Sequence, residues 1–278
     1  MKDKSTVQKE VYLSGVGIHS GKKIDLLLKP SSSGEIVFRR TDLDNLEIHL
    51  DSKKIQAKNS IFLATKGCKI QTLEHLLAVL HIFGIDSLII EMNGDEIPVM
   101  DGSASPFVQA VLKAGIKFLP EKKKSLKIIK PFIIQEKEAS LSFFPESGFR
   151  ITYIIEYDHP SIQKQVLSLS VNLENFVTEI APARTFGFLK DIPALRSQGL
   201  ALGGSLDNAI VLDENGVING PLRYPDEFVR HKILDLIGDL SLLKVPLIGH
   251  FKAVKAGHSL HLKLIHFLLD SPEFWAYV

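Results

Sequence analysis

Cysteine is almost absent from this chain of 278 residues, which has a single one, Cys68. One cysteine cannot form an internal disulfide or build a thiolate metal site alone, so the sequence fits a reducing compartment. No apolar run reaches the roughly 18 residues that a membrane-spanning helix needs. The first residues, Met-Lys-Asp-Lys-Ser-Thr, lead into a strand-like segment without the apolar stretch of a signal peptide. We therefore expect a cytoplasmic protein without a transmembrane segment, for which peripheral membrane contact stays open.

A large excess of charge of either sign is also lacking. The formal net charge is +1, which argues against a nucleic-acid partner bound by bulk electrostatics. Apolar residues make up 45% of the chain, enough for a sizeable core and too many for disorder. The length is sufficient for two domains of ordinary size.

A charge run after Pro120 divides the chain. Residues 121–127 hold four lysines and one glutamate, and charge runs of this kind are usually solvated loops. We expect a linker at 121–127 between a first domain, 1–120, and a second domain, 128–278. In both parts strand-like runs precede helices rather than alternating with them, which favours an α+β fold over a doubly wound sheet. The similar order of elements in the two parts suggests a duplicated domain.

Apolar spacing and end signals predict the helices and the main buried strand of the chain. The predicted helices are 71–83, 105–113, 173–180, 190–198, 225–243 and 259–269. The apolar run at 85–92 predicts a buried strand.

Two of these predicted helices each carry polar residues suited to holding one metal ion. His231 and Asp235 are four residues apart, so on a helix their Cβ atoms lie roughly 5–6 Å apart on one face. His75 on the earlier helix offers a third ligand and leaves one position open, the arrangement of a catalytic rather than a structural zinc site. Glu74 beside it is then a candidate base acting on water. The competing interpretation is an amphipathic helix whose polar face is solvated.

Other residues have settings typical of catalysis. His258 follows a strand and opens a helix, where it could act as a general acid with Asp239 as its carboxylate partner. Thr185 stands beside Phe186 and Phe188. Thr185 could donate to an oxyanion while the aromatic rings line a pocket, although an ordinary strand explains the segment equally well.

Two loops and the remaining histidines are less distinctive. The Gly-flanked turn 15–21 could bind phosphate or substrate, but Gly/Ser turns between strands are usually only turns. The apolar loop 199–205 needs cover from the core or from an apolar ligand. A structural role is expected for His49, His81, His159, His250, His261 and His266.

A series of motifs, in order along the chain, resembles one enzyme family. The motifs are Thr72-Leu-Glu-His75-Leu, Ala183-Arg-Thr-Phe-Gly-Phe188, Gly203-Gly-Ser205, the run from Asp226 to Asp239, Ala256-Gly-His258, and the segments 15–21 and 97–107. Together they resemble the UDP-3-O-acyl-N-acetylglucosamine deacetylase family, zinc enzymes of the first committed step of lipid A synthesis in Gram-negative bacteria. The resemblance spans nearly the whole chain. It implies two similar α+β domains, each with helices packed on β-sheet, and an active site between them.

The resemblance also implies catalytic roles for individual residues. The implied ligands of one Zn²⁺ per chain are His75, His231 and Asp235, and the same ligands accept Fe²⁺. Glu74 would be the general base. His258 would be the general acid or electrostatic partner, oriented by Asp239, and Thr185 would help to bind the oxyanion.

The implied substrate is UDP-3-O-acyl-N-acetylglucosamine, which would give acetate and a free 2-amino sugar. Its implied contacts are Lys232, Phe186, Phe188, Asp191, Gly204, Ser205 and Lys255, with Tyr157 at the uridine. An apolar insert of the second domain, which includes 200–205, would form a passage for the acyl chain. The alternative that stays open is a non-catalytic protein that binds an acyl sugar or lipid, with a merely structural His/Asp face.

Overall fold

The computed structural model describes residues 2–65 and 67–278, which form nineteen strands and six α-helices. The strands are β1 Lys2–Val7, β2 Val11–Val16, β3 Lys23–Pro30, β4 Ile36–Arg40, β5 Leu46–His49, β6 Ile55–Ala57, β7 Ile61–Thr65, β8 Cys68–Gln71, β9 Leu88–Met92, β10 Ile116–Lys123, β11 Leu126–Ile128, β12 Phe132–Glu136, β13 Ala139–Phe144, β14 Phe149–Tyr157, β15 Gln163–Ser170, β16 Phe186–Phe188, β17 Ile210–Leu212, β18 Leu247–Val254 and β19 Trp275–Tyr277. The helices are α1 Glu74–Phe83, α2 Ser105–Ala114, α3 Leu173–Asn175, α4 Ile192–Ser197, α5 Glu227–Leu240 and α6 His258–Asp270.

A five-stranded sheet with the order β2-β3-β9-β4-β5 organises the N-terminal part of the chain. Its central strand β9 pairs antiparallel with β3 and parallel with β4. Alternate residues of a strand point to opposite faces, and in β9 Leu88 and Ile90 are fully buried while Ile89 between them is half-buried. The buried strand predicted at 85–92 is thus present, although it begins at Leu88.

A seven-stranded sheet organises the C-terminal part. Strand β18 pairs antiparallel with β13 and parallel with β14 and β11. Helix α6 packs against β12 and β13, and α5 packs against β14 and β15. Sheets with helices packed on them confirm the predicted α+β class. Smaller sheets pair β1 with β10, β16 with β17, and β7 with both β6 and β8.

The predicted linker is largely strand rather than loop. Residues 121–123 belong to β10, where Lys122 pairs with Asp3 and Lys123 with Lys2 of β1. Lys122 and Asp3 also form an ion pair at 2.6 Å. A two-stranded ribbon can hold such a charge run because its charged side chains point into solvent. Within residues 2–65 and 67–278, strands β1–β10 pair only with one another, and strands β11–β19 pair only with one another. The domain division at 121–127 itself stays a prediction.

Helix α5 lies where the two parts of the chain meet. It contacts α1 of the N-terminal part as well as α6, β14 and β15. His231 and Asp235 are each only 3% exposed, because α1 covers the face that carries them. The interpretation of a solvated polar face is therefore wrong. At Gly238 the two helices touch through their backbones, since a Cβ there would lie 2.2 Å from the carbonyl oxygen of Glu74.

Most predicted helices are present with shorter bounds. The helix predicted at 71–83 begins only at Glu74, because Thr72 before it has a φ of 60°, outside the helical region. The helix predicted at 173–180 consists of α3 followed by a single π-helical turn, Phe176–Ile180. In the part of the chain that the structure describes, the helices are all too short or too polar to cross a lipid bilayer.

Candidate metal centre and active site

Three side chains from α1 and α5 converge into a donor group suited to a metal ion. The ligand atoms of His75, His231 and Asp235 all lie within 4.8 Å of one another, and all three residues are buried. Nε2 of His231 is 3.3 Å from Oδ1 of Asp235, and Nε2 of His75 is 3.7 Å from the same oxygen. The spacing of four residues on α5 and the packing of α1 on α5 bring together the residues predicted as ligands.

The hydrogen bonding of His231 leaves a lone pair facing the carboxylate. Its Nδ1 is 3.1 Å from the carbonyl oxygen of Ala183, which can only accept, so Nδ1 donates. Burial lowers the pKa of His231 to about 4, so the ring is neutral and Nε2 carries no proton. A lone pair that faces an ionised carboxylate is repelled unless a cation lies between them. Two imidazole nitrogens and one carboxylate oxygen therefore fit a divalent metal of the zinc type.

Lys232 keeps Asp235 ionised. Burial, the largest single effect, raises the pKa of the Asp235 carboxyl, but Lys232 together with the neighbouring histidines outweighs burial and holds this pKa well below its usual range. Nζ of Lys232 donates to Oδ2 of Asp235 at 2.8 Å. One carboxylate oxygen thus faces the two imidazoles while the other binds the ammonium group.

Glu74 and His258 face one another beside the donor group. Nε2 of His258 is 3.8 Å from Oε1 of Glu74, and its Nδ1 is 2.7 Å from Oδ2 of Asp239. Burial raises the pKa of Glu74 to about 7. Burial also lowers the pKa of His258, but the charge and hydrogen bond of Asp239, together with the charges of Glu74 and Asp235, outweigh it and raise that pKa to about 9. The pair can accept one proton and donate another, as general acid–base catalysis requires.

A cavity of about 770 Å³ adjoins these groups. The predicted residues that line it are Glu74, His75, Tyr157, Thr185, Phe186, Phe188, Asp191, Gly204, Ser205, His231, Lys232, Asp235 and His258. Leu189, Ile192, Leu195 and Leu206 add apolar surface to its wall. A cavity of this size, apolar with a few convergent polar groups, is typical of a small-molecule site.

Two predicted site residues lie outside this cavity. Asp239 is fully buried and reaches the site only through His258. Lys255 lines a neighbouring hollow of about 670 Å³, which shares Tyr157 with the main cavity. Nζ of Lys255 lies 2.7 Å from Glu156 and 3.0 Å from Glu138. Two of the three N–H donors of the Lys255 ammonium group are thus directed at carboxylates.

The segment 97–107 holds Thr185 in place. The N–H of Thr185 donates to the carbonyl oxygen of Gly102 at 2.8 Å. Gly102 has a φ of 86°, and a Cβ on it would lie 2.4 Å from the carbonyl oxygen of Asn208. Only glycine fits this close approach, so the backbone at position 102 requires a glycine.

The turn 15–21 contributes more than the sequence indicated. Ile18 and His19 line the cavity. The buried carboxylate of Glu96 accepts hydrogen bonds from two backbone N–H groups of this turn, at 2.9 and 2.8 Å, and from the hydroxyl of Thr72 at 3.0 Å. Glu96 thus ties the cavity wall to the start of α1. Its position was missed because a single glutamate in a polar loop carries no sequence signal of its own.

The fold and these contacts define a class of protein. Two imidazoles, one carboxylate and an acid–base pair beside a cavity are the parts of a metal-dependent hydrolase.

Comparisons with known proteins give the family. A family model described as UDP-3-O-acyl N-acetylglycosamine deacetylase matches residues 4–270. A UDP-3-O-acyl-N-acetylglucosamine deacetylase of Thermodesulfovibrio yellowstonii is 50% identical over 268 residues, 96% of this chain and 91% of the relative. Proteins of the same name from a Geobacter species and from Histophilus somni are 42% and 43% identical, over 98% of this chain and 91% and 92% of their own lengths. This chain therefore belongs to the UDP-3-O-acyl N-acetylglycosamine deacetylase family.

Proposed function

We propose that this protein is a zinc-dependent deacetylase. It removes the N-acetyl group of UDP-3-O-acyl-N-acetylglucosamine and so catalyses the committed step of lipid A biosynthesis. The observation that carries this proposal is the convergence of the buried His75–His231–Asp235 group with Glu74 and His258, in a chain of the deacetylase family. The alternative of a non-catalytic binding protein is not favoured, because relatives over nearly the whole chain are named as deacetylases.

The proposed ligands would hold one Zn²⁺ per chain, and Fe²⁺ would suit the same donors. A zinc ion held there would act as a Lewis acid, lowering the pKa of bound water to about 7 and polarising a carbonyl group. The bond from His231 Nδ1 to Ala183 supports the assignment, because a second hydrogen-bond partner orients a ligating imidazole.

The acid–base pair performs the proton transfers. Glu74 takes a proton from the water that attacks the acetamide carbonyl carbon. Thr185 donates a hydrogen bond to the oxyanion that develops on that carbonyl. His258, held by Asp239, gives a proton to the departing amine as the C–N bond breaks. The products are acetate and the free 2-amino sugar.

The substrate is held along the cavity. We assign the sugar and its acetamide to the end near Lys232 and Phe186, and the acyl chain to the apolar wall between Asp191 and Gly204–Ser205. Phe188 adds to this wall and Tyr157 is assigned to the uridine. Lys255 is assigned to the diphosphate, to which the third N–H of its ammonium group would donate. We place this reaction in the cytoplasm. We assign the protein no nucleic-acid partner. Peripheral membrane contact is compatible with its acylated substrate.

Product analysis tests the proposed function directly. Purified protein should release one acetate and one free amine per molecule of UDP-3-O-acyl-N-acetylglucosamine, and should contain one zinc per chain. A chelator should abolish turnover, and added Zn²⁺ or Fe²⁺ should restore it. A protein that binds the substrate without releasing acetate, or one indifferent to the chelator, would contradict the proposal.

A further inference from the structure

Two histidines in the first turn of α6 bind the same carboxylate oxygen. Nδ1 of His258 and Nδ1 of His261 each lie 2.7 Å from Oδ2 of Asp239. The two residues are three positions apart, so the helix places their rings side by side, with centroids 5.9 Å apart. His261 is fully buried and has no part in the proposed proton transfers.

Both contacts with Asp239 are donated by the imidazoles, since a carboxylate oxygen accepts. On the other side of the His261 ring, Nε2 is 3.3 Å from the hydroxyl of Tyr153. That hydroxyl donates to the carbonyl oxygen of Ala256 at 2.8 Å, in the loop that leads into His258. His261 is therefore held by its hydrogen bond to Asp239 of α5, while Tyr153 of β14 is in contact with its other nitrogen.

The second hydrogen bond matters because Asp239 has few other partners. Its side chain is fully buried, and Oδ1 has no hydrogen-bond partner among the residues that the structure describes. The two imidazoles therefore provide the hydrogen bonds that hold this carboxylate. A buried charge with too few donors is strongly disfavoured, so the loss of His261 would let Asp239 move or exchange its partner.

We propose that His261 is a positioning residue that fixes the Asp239 carboxylate and, through it, the His258 ring. The inference deepens the proposed function and rests on it. In this arrangement Nε2 of His258 stays directed at the site, 3.8 Å from Oε1 of Glu74. A histidine that only filled space in the core would be replaceable by an apolar residue of similar size without an effect on His258.

Two substitutions at one position separate donation from volume. His261→Leu keeps much of the side-chain volume but removes the donor, whereas His261→Asn loses volume but keeps an N–H close to the Cβ. We expect His261→Leu to lower kcat about 10- to 100-fold, the range for a partner that orients an active-site group, with little change in KM. His261→Asn should regain most of the lost kcat. The matched controls are His266→Leu and His266→Asn, later in α6, where Nε2 of the ring lies 3.3 Å from the Ser52 carbonyl oxygen, and both should behave as the unsubstituted protein.

Imidazole ¹⁵N and proton resonances of the zinc-loaded protein give a readout that does not depend on turnover. Both His258 and His261 should carry a proton on Nδ1, and the His258 Nδ1 proton signal should be altered in His261→Leu and kept in His261→Asn. Finding His261 protonated on Nε2 alone would overturn the proposal even if every variant failed to fold. Equal kcat for His261→Leu and the unsubstituted protein, or equal losses in the Leu and Asn variants, would do so as well. Lack of acetate release by the unsubstituted protein would refute the proposed function but not the positioning role of His261. The resonance measurement would still test that role.

Discussion

At the scale of single residues, neighbours in the sequence have different tasks because consecutive side chains on a helix point about 100° apart. His75 points at Asp235, whereas Glu74 points at His258. On α5, Lys232 reaches the oxygen of Asp235 that the imidazoles leave free. About 100° of rotation around the helix thus separates a proposed metal ligand from the neighbouring residue that would move a proton or bind substrate.

Replacing Glu74 tests the assignment of the base. We expect Glu74→Gln to lower kcat about 100- to 10,000-fold, because a general base typically contributes that much, while the zinc content stays at one per chain. The measurements are acetate release and metal analysis. The matched control is Glu35→Gln, whose carboxylate is 55% exposed and binds His49, and it should keep full activity. Near-normal turnover of Glu74→Gln would refute the assignment.

The sequence was sufficient to propose the donor residues but not their hydrogen bonds. A spacing of four residues on a helix, together with the order of motifs, pointed to His231 and Asp235. The protonation of His231 depends on the carbonyl oxygen of Ala183, which is distant in sequence and comes close only in the folded chain. The same holds for Lys255, which the resemblance implied as a substrate contact but which two glutamates hold in a neighbouring hollow.

At the scale of elements, the approach of α1 and α5 sets the geometry of the donor group. The backbone contact at Gly238 leaves no room for a side chain. The apolar periodicity of both helices was readable from the sequence. Strands β1 and β10 were missed because β1 is largely polar, β10 lacks a regular alternation of apolar residues, and the two pair between distant segments.

The substitution Gly238→Ala tests this contact. A methyl group 2.2 Å from the Glu74 carbonyl oxygen must push α1 away, which we expect to cost about 1–3 kcal/mol of unfolding free energy. A displacement of about 1 Å is enough to lower kcat about 100-fold. Denaturant unfolding and acetate release measure the two effects. Gly148→Ala is the control, since a Cβ there would meet nothing within 4 Å; equal behaviour of the two variants would contradict the role of the contact.

Helix α4 provides a test of the acyl passage. Leu195 lines the cavity, and burying a leucine side chain contributes about 1.5–3 kcal/mol. We expect Leu195→Asp to lower kcat/KM about 10- to 100-fold for a long-chain substrate and much less for an analogue with a short acyl group. Leu112→Asp, at a position 55% exposed on α2, should change neither value. A loss independent of acyl length would show that the chain lies elsewhere.

At the scale of the whole molecule, the candidate metal centre joins segments far apart in sequence. His75 belongs to the part that contains the five-stranded sheet, and His231 and Asp235 belong to the part with the seven-stranded sheet. A ligand that binds only the folded protein stabilises it by mass action, by about 4 kcal/mol at 1,000 times its Kd. Metal binding and unfolding are therefore linked.

Thermal unfolding with and without zinc tests this linkage. We expect Tm of the metal-free protein to rise on addition of zinc, and His75→Ala to lose most of that rise because one of three ligands is gone. His49→Ala, at a largely exposed position that binds Glu35, should keep the full rise. Identical Tm values for metal-free and zinc-treated protein would refute a metal site at this place.

The separation of the ligands along the chain has a consequence for biosynthesis. A ribosome completes Glu74 and His75 long before α5 and α6. A nascent chain that has folded only its N-terminal part holds one of the three donors and lacks both His258 and Asp239. With the ligands and acid–base pair proposed above, such an intermediate would neither retain zinc tightly nor hydrolyse an amide. Catalytic competence would then arise only near the end of translation, when α6 is made.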